Sequence, residues 1–336
     1  MVSLSHHEAK IAQRTRDTSM SRPIRAAVIG VGHFGQYHAN KLAEAKGVEF
    51  VAVVDRHGER ATAIASRHNV AAKTDYRELF DKVDAVSIAT PPASHYAIAR
   101  GFLEHGTHVL VEKPITETLE DAQSLIDLAA ANGKVLQVGH IERFSTVGLR
   151  MGEMVKRPLF VQAQRVGSFR PRGEAVSVVF DLMIHDLDLV LGLVKSPIEW
   201  VHAVGGPVVT TADDIANARL HFANGCVADL TVSRVNMRTE RKMRIFERET
   251  CTTIDFIKRR IGVFALKPAV GGAPEIALSD TAYPASDALA DEINSFLSAV
   301  RGEHAPRVSG QDGKLALEAA IAIDRKIREH RKRIGV

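Results

Sequence analysis

Residues 24–139 alternate between short apolar runs and longer amphipathic stretches, and this alternation limits the folds open to the chain more than any other feature. Each run is almost continuously hydrophobic, as expected of a strand in a sheet that is covered on both faces. Such runs separated by helices are typical of βαβ crossovers. We therefore predict an α/β domain with a doubly wound parallel sheet over residues 22–139. The predicted strands are 24–30, 48–54, 84–90, 108–112 and 134–139, and the predicted helices are 33–46, 57–68, 93–105 and 117–132.

Beyond residue 139 the chain changes to alternating polar and apolar residues, which is typical of antiparallel strands with one covered face. Asn224-Gly225 separates two such segments and predicts a hairpin turn. We predict a second, α+β domain over residues 140–336, with a large, mostly antiparallel and open-faced sheet that serves substrate binding and oligomerisation. The strand-like segments are 160–169, 199–206, 217–234 and 241–256, and the helices expected to cover them are 181–194 and 312–330.

The composition excludes several classes of protein. No apolar run approaches the roughly 20 residues of a membrane span, and residues 1–21 lack the apolar core of a secretory signal. We expect these residues to form a disordered leader. Cys226 and Cys251 are far apart and outside any CxxC, which disfavours a disulfide framework or a structural zinc site and suits a cytoplasmic protein.

The basic balance of the chain, with a pI of about 9.1, raises the question of a polyanion partner. Much of the excess lies in residues 325–333, where cations complement the end of a predicted helix. No basic surface interleaved with aromatic residues accompanies this run, as single-strand binding would require. We therefore expect neither nucleic acid nor a membrane among the partners.

The hexapeptide GVGHFG follows the first predicted strand and opens a helix. Gly30, Gly32 and Gly35 permit a tight turn and close approach to a pyrophosphate, with His33 and Phe34 leading into the helix. Asp55 ends the second strand, 20 residues beyond Gly35, where a carboxylate binds the adenosine ribose. These positions predict a Rossmann site for NAD. Arg56 weakens the preference, so that NADP remains the less favoured alternative.

The segment VLVEKPI places Glu112 and Lys113 at the carboxyl end of a later strand, where ligands of open α/β sheets bind. Thr90 and Pro91 end the preceding strand and are expected to line the nicotinamide pocket. His95 follows shortly after and is included in the predicted cofactor site, although a plain helical role is the alternative.

The segment DLMIHDLDL interrupts an otherwise apolar helix with one histidine and three carboxylates. At about 100° per residue, Asp181, His185 and Asp188 share one face and Asp186 points away. Three interpretations are open: an internally paired histidine, a metal site, or an acid/base pair. A metal is disfavoured because no further His or Cys cluster completes the site, and we predict none.

These three motifs, in this order over residues 24–330, resemble those of the Gfo/Idh/MocA oxidoreductases. The resemblance implies that Lys113, Asp181 and His185 meet in one cleft beside the nicotinamide and the reacting carbinol carbon. We then expect His185 to remove the hydroxyl proton, Asp181 to orient it, and Lys113 to hold the reacting oxygen. Lys113 as the base is the second choice.

The segments QVGHIERF (137–144) and VVFDLMIHDLDLVL and the basic pattern near 238–246 resemble the branch of this family that acts on UDP-N-acetylglucosamine. That likeness implies oxidation of the 3-hydroxyl for diamino-sugar and lipid A synthesis, hand-off of the keto product to an aminotransferase, and a homo-oligomer, dimer or tetramer. One departure is Ser145-Thr146, where the branch has Asn-Pro.

A nucleotide sugar needs cations for its diphosphate, ideally arginine. The expected substrate site therefore combines the three residues of the cleft with a glutamate and several arginines. Two alternatives stay open: a dehydrogenase of free polyols or sugars such as inositol, and a non-catalytic regulator that senses NAD(P) on the same scaffold. The added substrate residues are Glu142, Arg143, Arg165, Arg234 and Arg238, with Arg241 in the same basic cluster.

Overall fold

The computed structural model describes residues 22–169, 176–267 and 275–335, and the predicted leader lies outside these ranges. The first sheet has six parallel strands in the order β3-β2-β1-β4-β5-β6. Its short apolar strands are buried in the middle of the domain, which confirms the doubly wound parallel sheet. The strands are β1 (Ile24–Ile29), β2 (Val48–Val54), β3 (Ala71–Lys73), β4 (Ala85–Ile88), β5 (His108–Glu112) and β6 (Leu136–Gly139).

Four helices lie between these strands, and each begins one or two residues after its predicted start. Local side chains fix some of their ends: the Thr118 hydroxyl accepts a hydrogen bond from the amide of Asp121. The sequence did not predict β3, which is only three residues long and forms one edge of the sheet. The helices are α1 (Gly35–Glu44), α2 (Gly58–His68), α3 (His95–Glu104) and α4 (Leu119–Ala131).

The second sheet has eight strands in the order β14-β13-β12-β11-β7-β10-β9-β8, and its neighbours are antiparallel except for β7 with β10. The predicted hairpin joins β9 and β10, with Gly225 at a φ of 85°. The mostly antiparallel sheet is therefore confirmed, while β13 and β14 were not predicted. The strands are β7 (Phe160–Val166), β8 (Ile198–Gly206), β9 (Ile215–Phe222), β10 (Val227–Ser233), β11 (Glu240–Phe246), β12 (Thr250–Asp255), β13 (Arg260–Lys267) and β14 (Glu275–Ala282).

Helices α5 (Thr146–Met154), α6 (Ile184–Val194) and α8 (Gly310–Ile334) bury their apolar faces against one face of this sheet. The predicted helix 312–330 is thus longer at both ends, and α5 was not predicted. Helix α5 begins at the Ser145-Thr146 departure, because the Ser145 hydroxyl accepts a hydrogen bond of 3.1 Å from the amide of Gly148 and caps the helix.

Helix α7 (Ala288–Val300) leaves the second sheet and packs against the first domain. Its Ile293, Phe296 and Leu297 share a hydrophobic core with Ala26 and Val28 of β1. The predicted second domain comprised all residues after 139, and this return to the first domain was not predicted. A segment near the carboxyl terminus therefore completes the core of the dinucleotide-binding domain.

Candidate active site

The glycine-rich turn after β1 requires glycine at two of its three glycine positions. Gly30 has a φ of 85°, and a Cβ placed on it would lie 2.7 Å from Cγ2 of Thr90. A Cβ on Gly35 would lie 1.7 Å from the carbonyl oxygen of Gly30. At Gly32, the nearest atom to such a Cβ is Nη1 of Arg60, at 3.8 Å, so the backbone there is open to a ligand.

The amino terminus of α1 faces this opening. His33 and Phe34 precede the helix and are exposed, and among the described residues no side chain caps it. The positive end of the helix dipole is therefore available to an anion. The open backbone at Gly32 and this helix end fit the diphosphate of a dinucleotide.

Asp55 lies at the end of β2 and is already engaged by its neighbours. Its carboxylate accepts hydrogen bonds from the amides of Val31, at 3.1 Å, and His57, at 2.9 Å, and one of 3.3 Å from Arg60. Arg56, next along the chain, is exposed. The carboxylate predicted to bind ribose is thus held by two backbone amides and one arginine, an arrangement that the sequence alone did not predict.

His95 is fully buried and joins the two strand ends predicted to line the nicotinamide pocket. Its Nδ1 lies 2.8 Å from the carbonyl oxygen of Pro114, and its Nε2 lies 2.8 Å from that of Thr90. Burial lowers the pKa of this imidazole. The side chain of His95 therefore links the segment Thr90-Pro91 to the segment Lys113-Pro114.

Glu112 is fixed by two residues that sequence reasoning missed. Nε2 of His38, on α1, lies 3.0 Å from the carboxylate, and Nδ1 of His38 lies 2.7 Å from the hydroxyl of Ser87. Burial opposes ionisation of Glu112, but the hydrogen bond and charge of His38, with a further contribution from Lys113, leave its pKa below the ordinary value. This chain of contacts holds the backbone that carries Lys113.

Lys113 reaches across to the second domain. A π-helical turn, Val179–Met183, precedes α6, and the ammonium of Lys113 donates a hydrogen bond of 2.8 Å to the carbonyl oxygen of Asp181 within it. The carboxylate Oδ1 of Asp181 lies 3.6 Å from the same nitrogen. Burial lowers the pKa of Lys113, against the charges of Asp181 and Glu112. Turns of π-helix are frequent at functional sites.

His185 follows this turn on α6 and is partly exposed, whereas its Nδ1 is buried and has no hydrogen-bond partner among the described residues. Nε2 is therefore the ring nitrogen available to the cleft. Burial, with the positive charges of Lys113 and Arg165, lowers the pKa of His185 well below 6.5. Between Asp181 and His185, both within the described ranges, no hydrogen bond is present; Asp181 contacts Lys113 instead.

His140 lies beside His185 and was not predicted as a site residue. It follows β6, is 1% exposed, and its ring stands perpendicular to that of His185 with 6.5 Å between the centroids. Among the described residues neither of its nitrogens has a hydrogen-bond partner. Burial lowers its pKa. The position of this residue inside QVGHIERF was the available signal, but nothing local distinguished it.

The other two carboxylates of α6 pair with arginines. Asp188 binds Arg143 through two contacts of 2.7 Å, and Asp186 binds Arg165 through contacts of 2.8 and 3.0 Å. Both carboxylates are buried. Asp188 therefore does not contact His185, and these ion pairs explain why acidic residues interrupt an apolar helix.

The remaining predicted substrate residues are divided between buried and exposed positions. Glu142 lies 2.9 Å from Arg165 and 3.6 Å from Arg241, whose side chain is half exposed. Arg234 is buried and pairs with Asp214 at 3.1 Å. Arg238 is exposed. The structure thus brings Glu142, Arg165 and Arg241 together next to the residues of the cleft, and places Arg234 apart from this group, against Asp214.

Within residues 22–169, 176–267 and 275–335 no group of three or more His, Cys, Asp or Glu is arranged to hold a metal ion. None of the described helices combines the length and the hydrophobicity needed to cross a membrane.

Comparison with family models matches two parts of the chain. Residues 24–140 match the GFO_IDH_MocA model, described as an oxidoreductase family with an NAD-binding Rossmann fold. Residues 154–249 match the model of the GFO/IDH/MocA C-terminal domain.

Individual relatives cover nearly the whole chain. UDP-N-acetylglucosamine 3-dehydrogenase from Acidithiobacillus ferrooxidans is 36% identical over 302 residues, which are 89% of this chain and 96% of that protein. A solved structure of that enzyme superposes with a TM-score of 0.85 at 34% identity, covering 91% of this chain and 98% of the other. An NAD-dependent scyllo-inositol 2-dehydrogenase from Bacillus subtilis is 26% identical over 330 residues, 92% of this chain and 95% of that protein.

Proposed function

This chain belongs to the GFO/IDH/MocA family of oxidoreductases that act on CH–OH donors, and we propose that it oxidises the 3-hydroxyl of UDP-N-acetylglucosamine to the 3-keto sugar nucleotide with NAD. The observation that carries the proposal is the contact of Lys113 with the turn that precedes His185. It joins the two segments that carry an ammonium and an imidazole, beside the arginines of β7 and β11, and so supports a shared site for them. The 36% identical relative acts, by its name, on this nucleotide sugar.

The residues of the first domain fit a nicotinamide dinucleotide. We assign the turn from Gly30 to Gly35, including His33 and Phe34, to the diphosphate, and Asp55 to the adenosine ribose. Thr90, Pro91 and Glu112 line the nicotinamide side, with His95 supporting them. When bound, the cofactor supplies the acceptor for the hydride. We propose NAD over NADP because a carboxylate at residue 55 repels a 2′-phosphate, although Arg56 and Arg60 lessen that repulsion.

The proton chemistry falls to the residues of the cleft. We assign His185 as the base, with Nε2 accepting the hydroxyl proton, because the neutral imidazole is the form its surroundings favour. Lys113 holds the reacting oxygen through Nζ, and remains the second choice as base. The contact between Asp181 and Lys113 supports a role for Asp181 in positioning that ammonium.

The diphosphate requires cations that remain accessible. The side chains of Arg143, Arg165 and Arg234 are largely buried in their pairs with carboxylates. We therefore propose that Arg238, which is exposed, and Arg241, which is half exposed, meet the UDP group. Glu142 holds Arg165 and Arg241 in place. The assignment of Arg143, Arg165 and Arg234 to substrate binding stays a prediction.

Reduction of NAD by a panel of substrates tests the proposal. UDP-N-acetylglucosamine, UDP-glucose, free N-acetylglucosamine, myo-inositol and scyllo-inositol would be compared by kcat/KM, and the product would be identified by NMR. The UDP sugar carrying the acetamido group should lead the panel and yield a ketone at carbon 3. Equal kcat/KM with and without the UDP group would exclude the nucleotide-sugar assignment.

A polyol dehydrogenase is the second candidate. The observation that favours it is the pairing of Arg143, Arg165 and Arg234 with carboxylates, which reduces the positive charge available to a diphosphate. The inositol dehydrogenase among the relatives agrees with this alternative. Higher kcat/KM for either inositol than for the nucleotide sugars would establish it.

We further propose a cytoplasmic homo-oligomer that passes its keto product to a PLP-dependent aminotransferase in diamino-sugar or lipid A synthesis. The second sheet supports self-association: Phe264 and Leu266 of β13 pair with Leu278 and Ile276 of β14, and all four are exposed. Sedimentation of the protein and of Leu278→Asp tests the interface. A monomeric wild-type protein would contradict it.

A further inference from the structure

We propose that His140 relays protons for the oxidation: the hydroxyl proton enters His185 at Nε2, and a proton leaves its Nδ1 towards His140. His140 acts through His185 and does not touch the substrate. The inference rests on oxidation of an alcohol, and so holds for a nucleotide sugar and for a polyol alike.

The tautomer of His185 determines which of its ring nitrogens can accept a proton. To accept a proton at Nε2, the neutral ring must carry its hydrogen on Nδ1. Nδ1 is buried and has no partner among the described residues. A buried N–H without an acceptor is unfavourable, so the ring needs a polar neighbour on its inner side.

Oxidation of the alcohol creates a positive charge on the imidazole of His185. When the hydroxyl proton binds Nε2, the ring becomes a cation facing Lys113, Arg165 and Arg241. Like charges in a buried site repel strongly. Loss of one of the two protons relieves this repulsion, and a proton that leaves from Nδ1 moves away from the cleft.

His140 lies close enough to His185 for a proton to pass between the two rings. Its ring centroid is 6.5 Å from that of His185 and the rings are perpendicular. Two hydrogen bonds of about 2.8 Å in series span the gap between their edges, so one bridging water suffices. The two unpartnered nitrogens of His140 allow it to accept on one side and donate on the other.

Burial lowers the pKa of His140; the charges of Asp188 on α6 and Glu112 on β5 favour its protonated form, whereas those of Arg143 and Lys113 oppose it. Glu292 of α7 is fully buried with both carboxyl oxygens unpartnered among the described residues, and the charges of Glu112 and Asp188 add to the effect of burial in raising its pKa.

The balance of the step is simple. The O–H and C–H bonds of the carbinol break as the C=O bond forms; the hydride and its two electrons go to the nicotinamide. One proton binds Nε2 of His185 while another leaves Nδ1 for His140. Once the ketone has left, the proton on Nε2 passes to solvent at the exposed edge of the ring and His140 returns its proton to Nδ1, which restores the starting tautomer. No further oxidant is needed.

A measurement without substrate tests the tautomer. In ¹⁵N-labelled full-length protein, NMR of the histidine rings, assigned with His185→Asn, should show neutral His185 protonated on Nδ1. Protonation on Nε2 would overturn the relay. The tautomer is measured without substrate. If the enzyme oxidised none of the UDP sugars, the proposed function would be excluded, and the proposal for His140 would still be tested by the tautomer of His185.

Kinetics of His140→Asn and His140→Phe supply the second test. Both variants should lower kcat by about tenfold or more, with KM and the Kd for NAD little changed. Proton release should become limiting, so the solvent isotope effect should rise and the effect of deuterium at the reacting carbon should fall. A structural role alone would leave this isotope pattern unchanged, and that result, or wild-type kcat in both variants, would overturn the proposal.

Discussion

The Nζ of Lys113 lies 2.8 Å from the backbone carbonyl oxygen of Asp181, so the strand end of one domain is hydrogen-bonded to the π-helical turn of the other. The lysine position therefore depends on both domains. Because the acceptor is a backbone atom, no side-chain substitution at residue 181 removes it. The geometry of the cleft is thus carried partly by the main chain.

We expect His185→Ala to lower kcat by about 10²–10⁴ with the Kd for NAD near that of the wild type, since the side chain lies beyond the nicotinamide. Lys113→Ala should also lower kcat, and the double variant should lose less than the product of the two effects because both serve one transition state. Asp181→Asn keeps the backbone acceptor and should lower kcat less than either His185→Ala or Lys113→Ala. Full activity in His185→Ala would return that residue to a structural role.

The pH dependence of kcat/KM should reflect the low pKa of His185. Burial and the positive charges around this imidazole favour its neutral form, so the base stays unprotonated below its ordinary value of 6.5. Activity should therefore decline on the acid side only at pH values below 6.5. A decline centred above that value would contradict the assignment of His185, and Lys113 would become the base.

Cofactor choice should depend on Asp55 and Arg60. Asp55→Ala should weaken NAD binding by about 1.5–3 kcal/mol through loss of charge-assisted hydrogen bonds. Arg60→Ala should weaken NADP binding more than NAD binding, because the guanidinium partly neutralises the carboxylate at 3.3 Å. Both are measured as Kd by calorimetry. Tighter binding of NADP than of NAD by the wild-type protein would contradict the role of Asp55.

Arg143→Ala should mainly reduce stability. Its removal leaves the buried carboxylate of Asp188 without its partner, at a cost of about 3–5 kcal/mol in the free energy of unfolding. Urea denaturation measures the loss, and Arg238→Ala, on an exposed residue, is the matched control. If Arg143→Ala instead raised KM for a UDP sugar with unchanged stability, its predicted role in substrate binding would stand.

Glu292→Gln should stabilise the protein increasingly as pH rises. In the unfolded chain this carboxyl has a pKa near 4.5, and burial raises its pKa well above that in the folded chain. Between the two values the folded state holds the extra proton, so wild-type stability falls with rising pH and that of the variant does not. Urea denaturation at about pH 5 and about pH 8 gives the difference in the free energy of unfolding between Glu292→Gln and the wild type at each pH. An equal difference at both pH values would contradict a raised pKa.

The sequence predicted the parallel sheet and the order of its motifs because glycine turns and apolar periodicity are local signals. It missed the contacts that arise only on folding. A constant 100° per residue does not describe the π-helical turn that carries Asp181, and this residue contacts Lys113 rather than forming a hydrogen bond with His185. The pairing of Arg143 with Asp188 joins residues 45 positions apart and has no local signature. Helix α7 did carry a signal, with Asp287 capping a run of apolar residues at helical spacing.

The return of α7 to the first domain makes that domain discontinuous along the chain. On the ribosome, β1 and α1 are synthesised long before Ile293, Phe296 and Leu297, which complete their core. Until that helix has been synthesised, the apolar surface of β1 and α1 that it covers stays without this partner. A fragment ending near residue 139 would lack the covering helix altogether.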